Sequence, residues 1–220
     1  MAIDKKYINQ FINVSSRAAL ASSYLVGKKN KLAADQAAVD SMRLELNKIH
    51  MNGEVVIGEG SLDEAPMLFT GELLGNKDGP NFDIAVDPLE GTNFTAKNLP
   101  GAFSVLVVAE KGNLLSAPDT YMEKIAIGSN LPSNLLDLDN PVETNIKLLA
   151  KAKNKQTSEI SACILNRPRH KKIIDVLNKL KVKINFITDG DIAGALSVVG
   201  DNPKNDIYLG TGGGPEGVIT

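Results

Sequence analysis

The chain's strongest chemical signal is the run Asp87-Pro88-Leu89-Glu90-Gly91-Thr92. It follows a short apolar stretch, Phe82 to Val86, that reads as a buried strand, so two carboxylates leave the interior close together. Pro88 fixes one φ angle and lacks an N–H, Gly91 permits a tight turn, and Thr92 is suited to cap a following helix. Asp87 and Glu90 can then converge on one point, with the Leu89 carbonyl as a further oxygen donor. Donors of this kind suit a hard divalent cation, Mg²⁺ or Mn²⁺, which keeps coordination positions open for a substrate phosphate. An Asp-Pro turn before Gly-Thr is also a common way to end a strand and begin a helix, and that reading covers the same residues.

A second acidic strand exit strengthens the metal reading. The run GEVVIGEG, residues 53–60, is too short for a helix and rich in Val and Ile, and it places Glu59 between two glycines at a strand's end. Asp63 and Glu64 follow directly. Carboxylates gathered beside a buried strand repel one another unless a cation or a basic partner neutralises them. Asp63 and Glu64 also fit the first turn of a helix beginning at DEAPML, where the dipole favours negative charge.

The second half offers anion contacts. Arg167, Pro168 and Arg169 stand at a strand-to-helix junction, with His170, Lys171 and Lys172 extending the basic cluster. It reads as a phosphate contact or as a solvated helix start. Asp189-Gly190-Asp191 follows a strand and opens a helix, the place where open α/β sheets bind ligands; an Asp N-cap after a glycine turn fits equally well. GTGGGPEG lacks the Lys and Ser/Thr of a P-loop and is not G-x-G-x-x-G, so its glycines point to close backbone approach to a substrate, with Glu216 beyond them. Tyr121 alone reads as a half-buried strand tyrosine. Cys163 reads as a buried thiol, His50 as a helix end, the methionines as core fillers and KAKNK, 151–155, as a solvated helix end.

These residues must be positioned by 220 residues of ordinary globular composition, 43% hydrophobic and 23% charged. With 24 Lys and Arg against 26 Asp and Glu, the net charge of -2 provides no global field for nucleic acid or anionic lipid, so any anion must be held locally. Aromatics at 5%, without Trp, argue against base stacking. A single cysteine excludes an intrachain disulfide, and neither a signal peptide nor a membrane span is evident, so a soluble, cytoplasmic protein without membrane or nucleic-acid partners is expected.

Apolar spacing predicts a helix over 4–26 burying Ile8, Phe11, Ile12, Ala19, Leu20 and Leu25, and another over 33–49 burying Ala37, Ala38, Met42, Leu46 and Ile49. AFSVLVVAE, KGN and LLSAP read as a hairpin. After residue 140 the pattern alternates: helix 142–153, strand 160–165, helix 169–180, strand 182–187, helix 191–199 and strand 206–209, which predicts α/β units with parallel strands. Two halves follow, 1–140 with the acidic residues and 141–220 with the substrate loops.

In order and over nearly the whole chain, VVIGEG, DEAPML, DIAVDPLEGT, APDTYMEK, NRPRH, DGDIAGAL and GTGGGPEGV resemble the class II, GlpX-type fructose-1,6-bisphosphatases of bacteria. The D-P-(I/L)-(D/E)-G-T core is shared with the wider lithium-sensitive phosphatase superfamily, including inositol monophosphatases; DEAPML, the Pro-Asp-x-Tyr-Met segment and the closing GGxPEG resemble this family alone. The resemblance implies an α/β (α+β layered) α-β-α-β-α sugar-phosphatase fold and Mn²⁺- or Mg²⁺-dependent removal of the 1-phosphate of fructose 1,6-bisphosphate. It implies metal ligands at Asp35, Glu59, Asp87, Glu90 and Glu216, with Lys31 and Asp63 near the metal centre. Substrate contacts fall on Glu90, Gly91, Thr92, Tyr121, Arg167, Pro168, Arg169, Asp189, Gly190, Asp191 and Gly213. Thr92, Asp87, Glu90, Asp63 and Lys31 are the expected catalytic set, with Thr92 orienting the attacking water. The family usually has Lys-Pro-Arg where this chain has Arg167-Pro168-Arg169. A homo-oligomer is expected, as are residues beyond Thr220 that complete the second half. Sedoheptulose 1,7-bisphosphate or an inositol phosphate as substrate, or a non-catalytic sugar-phosphate binding module, are the alternatives.

Overall fold

The computed structural model describes residues 3–60 and 67–220, which form two compact units, Met1–Pro118 and Asp119–Val218. Both are mixed α/β, and each is built on one four-stranded sheet.

In the first unit α1 (Lys5–Ser23) and α2 (Lys31–Leu46) precede β1 (Asn52–Ile57), β2 (Leu73–Leu74), β3 (Asn81–Glu90), α3 (Thr92–Ala96) and β4 (Phe103–Glu110). Asp4 caps α1 by accepting from the Lys6 N–H, and Asn30 caps α2 by accepting from the Ala33 N–H at 3.0 Å. The strand order is β2-β1-β3-β4, with β1 parallel to β3 and the outer pairings antiparallel. Met42, Leu46, Met51, Leu68, Leu74 and Ile84 are wholly buried in its core.

Helix α1 buries a different face from the expected one. Tyr7, Phe11, Val14, Ala18 and Ser22 point inward, while Ile8, Ile12 and Leu20 are exposed. The segment has two apolar stripes, and the inward one carries the rings: Tyr7 and Phe11 both pack edge-on against Phe82, at 5.4 and 5.7 Å between centroids. Aromatic burial and ring geometry outweigh the aliphatic stripe.

LLSAP forms no hairpin strand; β4 pairs with β3 instead. The cause is Asp83, almost fully buried on β3, whose Oδ2 accepts the Gly112 and Leu114 N–H groups at 2.6 and 3.2 Å. Those donors are thereby unavailable for a strand ladder. The chain continues irregularly past β1, where the Ser116 hydroxyl donates to the Val56 carbonyl at 3.1 Å.

The second unit runs β5 (Tyr121–Ile127), α4 (Val142–Ala152), β6 (Ser161–Leu165), α5 (Lys171–Lys179), β7 (Lys183–Ile187), α6 (Asp191–Leu196), β8 (Ile207–Gly213) and α7 (Gly214–Ile219). The predicted alternation holds: β7 and β8 lie parallel to β6 on its two sides, and β5 adds antiparallel to β8. The glycines Gly210, Gly212 and Gly213 belong to β8, where sequence reading had them in a loop. Lys153 and Lys155, expected to be solvated, converge on Asp206 at the foot of β8, at 2.5 and 3.1 Å.

Asp206 also accepts from the Ser161 N–H and hydroxyl. Burial pushes its pKa up, but the bonds from Lys153, Ser161 and Lys155 outweigh it and bring it down to about 2. A carboxyl depressed on folding stabilises above its unfolded value near 3.8 and loses that stabilisation as pH falls through about 2. Roughly 2 kcal/mol should disappear between about pH 4 and pH 2. Denaturant midpoints measured across that range check it: Asp206→Asn should be less stable at neutral pH and flatter in acid, and parallel curves for the two proteins would contradict it.

Candidate active site

In the first unit the site grows from a strand irregularity. In a regular strand, residues three apart point to opposite faces, which would separate Asp87 from Glu90. Here Asp87 pairs with Val105 and Glu90 with Phe103, so three steps on β3 match two on β4. The extra residue is a bulge, and since Val105 and Phe103 share a face, both carboxylates do too. Glu90 is buried and Asp87 half-buried. Gly91 then takes φ +79°, a left-handed conformation suited to glycine, and α3 begins at Thr92. Gly91 therefore occupies the N-cap position expected for Thr92, which is the first helical residue.

Because β1 runs parallel to β3, its exit lies at the same end of the sheet, and this brings Glu59 to the region of Asp87 and Glu90. Gly58 is required there: a Cβ would sit 1.9 Å from the Leu68 carbonyl oxygen, the atom that accepts the Glu59 N–H at 3.0 Å. Leu68 is fixed in turn by buried Glu72, which accepts the Leu68 N–H with one oxygen and the Arg43 guanidinium with the other at 2.6 Å. A bridge from α2 thus sets the position of Glu59. Lys31 and Asp35 lie one turn apart on α2. Asp63 lies outside the described residues.

Burial raises the pKa of Glu59 to about 7, and the nearby Asp35 carboxylate adds like-charge repulsion. Asp35 is raised as well, by its own burial. A divalent cation fits this pair in kind, because it removes both penalties. As they stand, no three His, Cys, Asp or Glu side chains among the described residues form a group that could hold a metal. Without metal, a carboxyl whose pKa is raised on folding contributes stability below its unfolded value near 4.5 and loses it as pH rises through about 7. In EDTA, about 2 kcal/mol should be lost between roughly pH 5 and pH 8. Thermal melts should show that slope abolished in Glu59→Gln; an equal slope in the variant would contradict it.

The second unit gathers a separate cluster at the carboxyl-terminal ends of β6 and β8. Tyr121 pairs with Gly213 across β5 and β8, and the Arg169 guanidinium lies over the Tyr121 ring, 4.7 Å from its centre. Arg169 Nε donates to the Thr211 carbonyl at 2.7 Å. Arg167 is half-buried and is the N-cap residue of the 3₁₀ turn Pro168–His170. Gly190, at φ +84°, is the N-cap of α6, and Asp191 is its first residue. Asp191 is nearly buried and pairs with Lys124 of β5, yet its Oδ1 has no hydrogen-bond partner. Glu216 in α7 likewise keeps a buried Oε2 without a partner. Glycine leaves both carboxylates their places: a Cβ on Gly212 would come within 1.9 Å of Asp191 Oδ2, and one on Gly213 within 1.9 Å of Glu216 Oε2, so a side chain at either position would displace the carboxylate. Unmatched buried carboxylate oxygens are suited to a sugar hydroxyl or a cation.

Tyr121, Arg169, Asp191, Gly213 and Glu216 therefore share one edge of the second unit's sheet, with Asp189 and Gly190 at the turn leading to Asp191. Sequence reading missed two contributors. Lys124 is the largely buried cation that pairs with Asp191; its signal was a lysine inside the strand segment YMEKIAI. His170, expected to extend a basic surface, is 1% exposed. Its Nδ1 donates to the Leu165 carbonyl at 2.7 Å and its Nε2 accepts the Thr211 N–H at 2.9 Å, so it pins the Arg-bearing turn to β8.

Residues 5–220 match the family described as bacterial fructose-1,6-bisphosphatase, glpX-encoded. The Haemophilus influenzae protein named fructose-1,6-bisphosphatase class 2 is 44% identical over 209 residues, covering 95% of this chain and 62% of its own length. Fructose-1,6-bisphosphatase 1 class 2 of Escherichia coli K12 is 42% identical over 211 residues, covering 96% and 62%. The chain thus spans 62% of the length of these relatives. Among solved structures, an extragenic suppressor from Pyrococcus furiosus is similar at 17% identity with a TM-score of 0.43, covering 88% of this chain and 68% of its own. No helix among the described residues is long and apolar enough to cross a membrane.

Proposed function

We propose that this chain, which belongs to the bacterial glpX-encoded fructose-1,6-bisphosphatase family, hydrolyses D-fructose 1,6-bisphosphate to fructose 6-phosphate and phosphate in gluconeogenesis. The observation that carries this reading is the bulge that turns Asp87 and Glu90 to one face at the strand end where Glu59 also emerges. Asp35, Glu59, Asp87 and Glu90 would hold Mg²⁺ or Mn²⁺, and the family resemblance also implies Glu216 as a metal ligand. When bound, such a cation supplies charge neutralisation at phosphate oxygens and acidifies water.

The chain's own residues perform the remaining tasks. Thr92, heading α3 directly after the Glu90-Gly91 turn, orients a water toward phosphorus through its hydroxyl and relays the water's proton to a carboxylate. The water oxygen bonds to phosphorus as the bond from phosphorus to the sugar O1 breaks, and the departing alkoxide takes up a proton. Arg167 and Arg169 neutralise the retained phosphate, while Asp189, Asp191 and the glycine edge of β8 accept sugar hydroxyls. Lys31 and Asp63 complete the expected surroundings. A homo-oligomer in the cytoplasm is part of the same proposal.

Initial rates of phosphate release with fructose 1,6-bisphosphate, sedoheptulose 1,7-bisphosphate and inositol 1-phosphate test the substrate assignment. The fructose ester should be fastest by at least about tenfold; a faster inositol ester would replace it. A second reading, a sugar-phosphate binding module without turnover, is favoured by the absence of a three-carboxylate group among the described residues. It requires saturable binding with no phosphate release.

A further inference from the structure

A cavity of about 700 Å³ lies in the first unit between the α1–α2 turn and α3. Its volume is that of a small-molecule site. Lys29, Lys31 and Lys97 line it together with Asn93 and Asn98, and no carboxylate does. None of the three lysine ammonium groups makes an ion pair or side-chain hydrogen bond among the described residues, whereas those of Lys48, Lys111, Lys124 and Lys153 all have carboxylate partners. Three unneutralised ammonium groups around one space repel each other, in a chain whose net charge is -2. The walls are built before any ligand arrives: the Gly27 N–H donates to the Thr95 carbonyl and the Lys29 N–H to the Ala96 carbonyl, each at 2.9 Å. Lys29 and Asn98 both hold left-handed backbone conformations, φ +58° and +55°, that fix the rims.

We propose that this cavity binds a small phosphate-bearing polyanion and acts as an effector site that adjoins the proposed catalytic residues and shares Lys31 with them. Lysines provide point charges for phosphate oxygens and asparagine amides provide directed donors. The volume exceeds that of the phosphates alone and leaves room for an organic portion. The occupant would touch Lys31, four residues before Asp35 on α2, and Asn93, which follows Thr92 on α3. Its binding therefore bears on both helices that support the proposed chemistry.

The test reads binding without turnover, so that its failure is distinct from failure of the hydrolase proposal. Inorganic pyrophosphate is titrated calorimetrically in EDTA at low ionic strength, using a chain carrying Arg167→Ala and Arg169→Ala so that the other basic cluster does not contribute. Lys29→Asn with Lys97→Gln is then added; asparagine tolerates the left-handed conformation at 29, and both side chains are exposed. Equal melting temperatures establish that both proteins are folded. Saturable binding that weakens at least about tenfold in the added double variant, and that declines with salt, is the expected result. No binding to the parent, or equal binding to both, would overturn the proposal.

Discussion

Asp87→Asn should lower turnover of fructose 1,6-bisphosphate by about 10³-fold or more, with an unfolding midpoint close to that of the parent chain. The substitution keeps the shape of the side chain and removes its charge. Asp87 is half-buried at the β3 bulge, one bulged step from Glu90. An amide there can still accept a hydrogen bond, so the strand end has no reason to rearrange. It cannot contribute charge to a cation site or take a proton from an activated water. The measurement is kcat from phosphate release, paired with thermal melts. Turnover within about tenfold of the parent would remove Asp87 from the proposed chemistry.

Thr92→Ala is expected to have the next largest effect, about 10²- to 10³-fold in kcat with KM changed by less than about threefold. Thr92 is the first residue of α3 rather than its cap, and no side-chain capping bond is present at that helix start. Its hydroxyl is therefore not committed to holding the helix. Removing it takes away orientation of the water and a proton relay, both of which act in the transition state. Thr92→Ser should recover most of the rate, because it restores the hydroxyl without the methyl group. Loss of KM with intact kcat, or failure of serine to restore the rate, would instead mark Thr92 as a binding or packing residue.

Much of this arrangement was legible from residue order alone. The parallel α/β alternation after residue 140 was visible because each short Val- and Ile-rich run is followed by a helical repeat, and β6, α5, β7, α6 and β8 all form near their expected places. The DPLEGT run announced two carboxylates at a strand exit. That they share a face depends on pairing with Val105 and Phe103, a tertiary fact with no local signature. The inward face of α1 was misread because its aliphatic and aromatic stripes have the same period, and only contact with Phe82 decides between them. The hairpin failed for a similar reason: a buried aspartate on β3 captured the turn's N–H groups from 29 and 31 residues away in sequence.

The candidate site shows the same division. Glu59, Asp87 and Glu90 were readable as chemistry because charge at the end of an apolar run is conspicuous. Lys124 and His170 were not, since a lysine in a strand and a histidine in a basic cluster ordinarily signal exposure. Their burial follows from partners remote in sequence, Asp191 for Lys124 and Leu165 and Thr211 for His170. The fold thus turns residues with common surface roles into supports for Asp191 and Arg169.

Phosphate release from fructose 1,6-bisphosphate by the purified 220-residue chain, with Mn²⁺, with Mg²⁺ and with EDTA, is the most direct measurement of the proposed activity. The expected result is release that requires metal, stops in EDTA and returns when metal is restored. No release from a folded chain that still binds the sugar bisphosphate, or release that is unaffected by EDTA, would contradict metal-dependent hydrolysis by these residues.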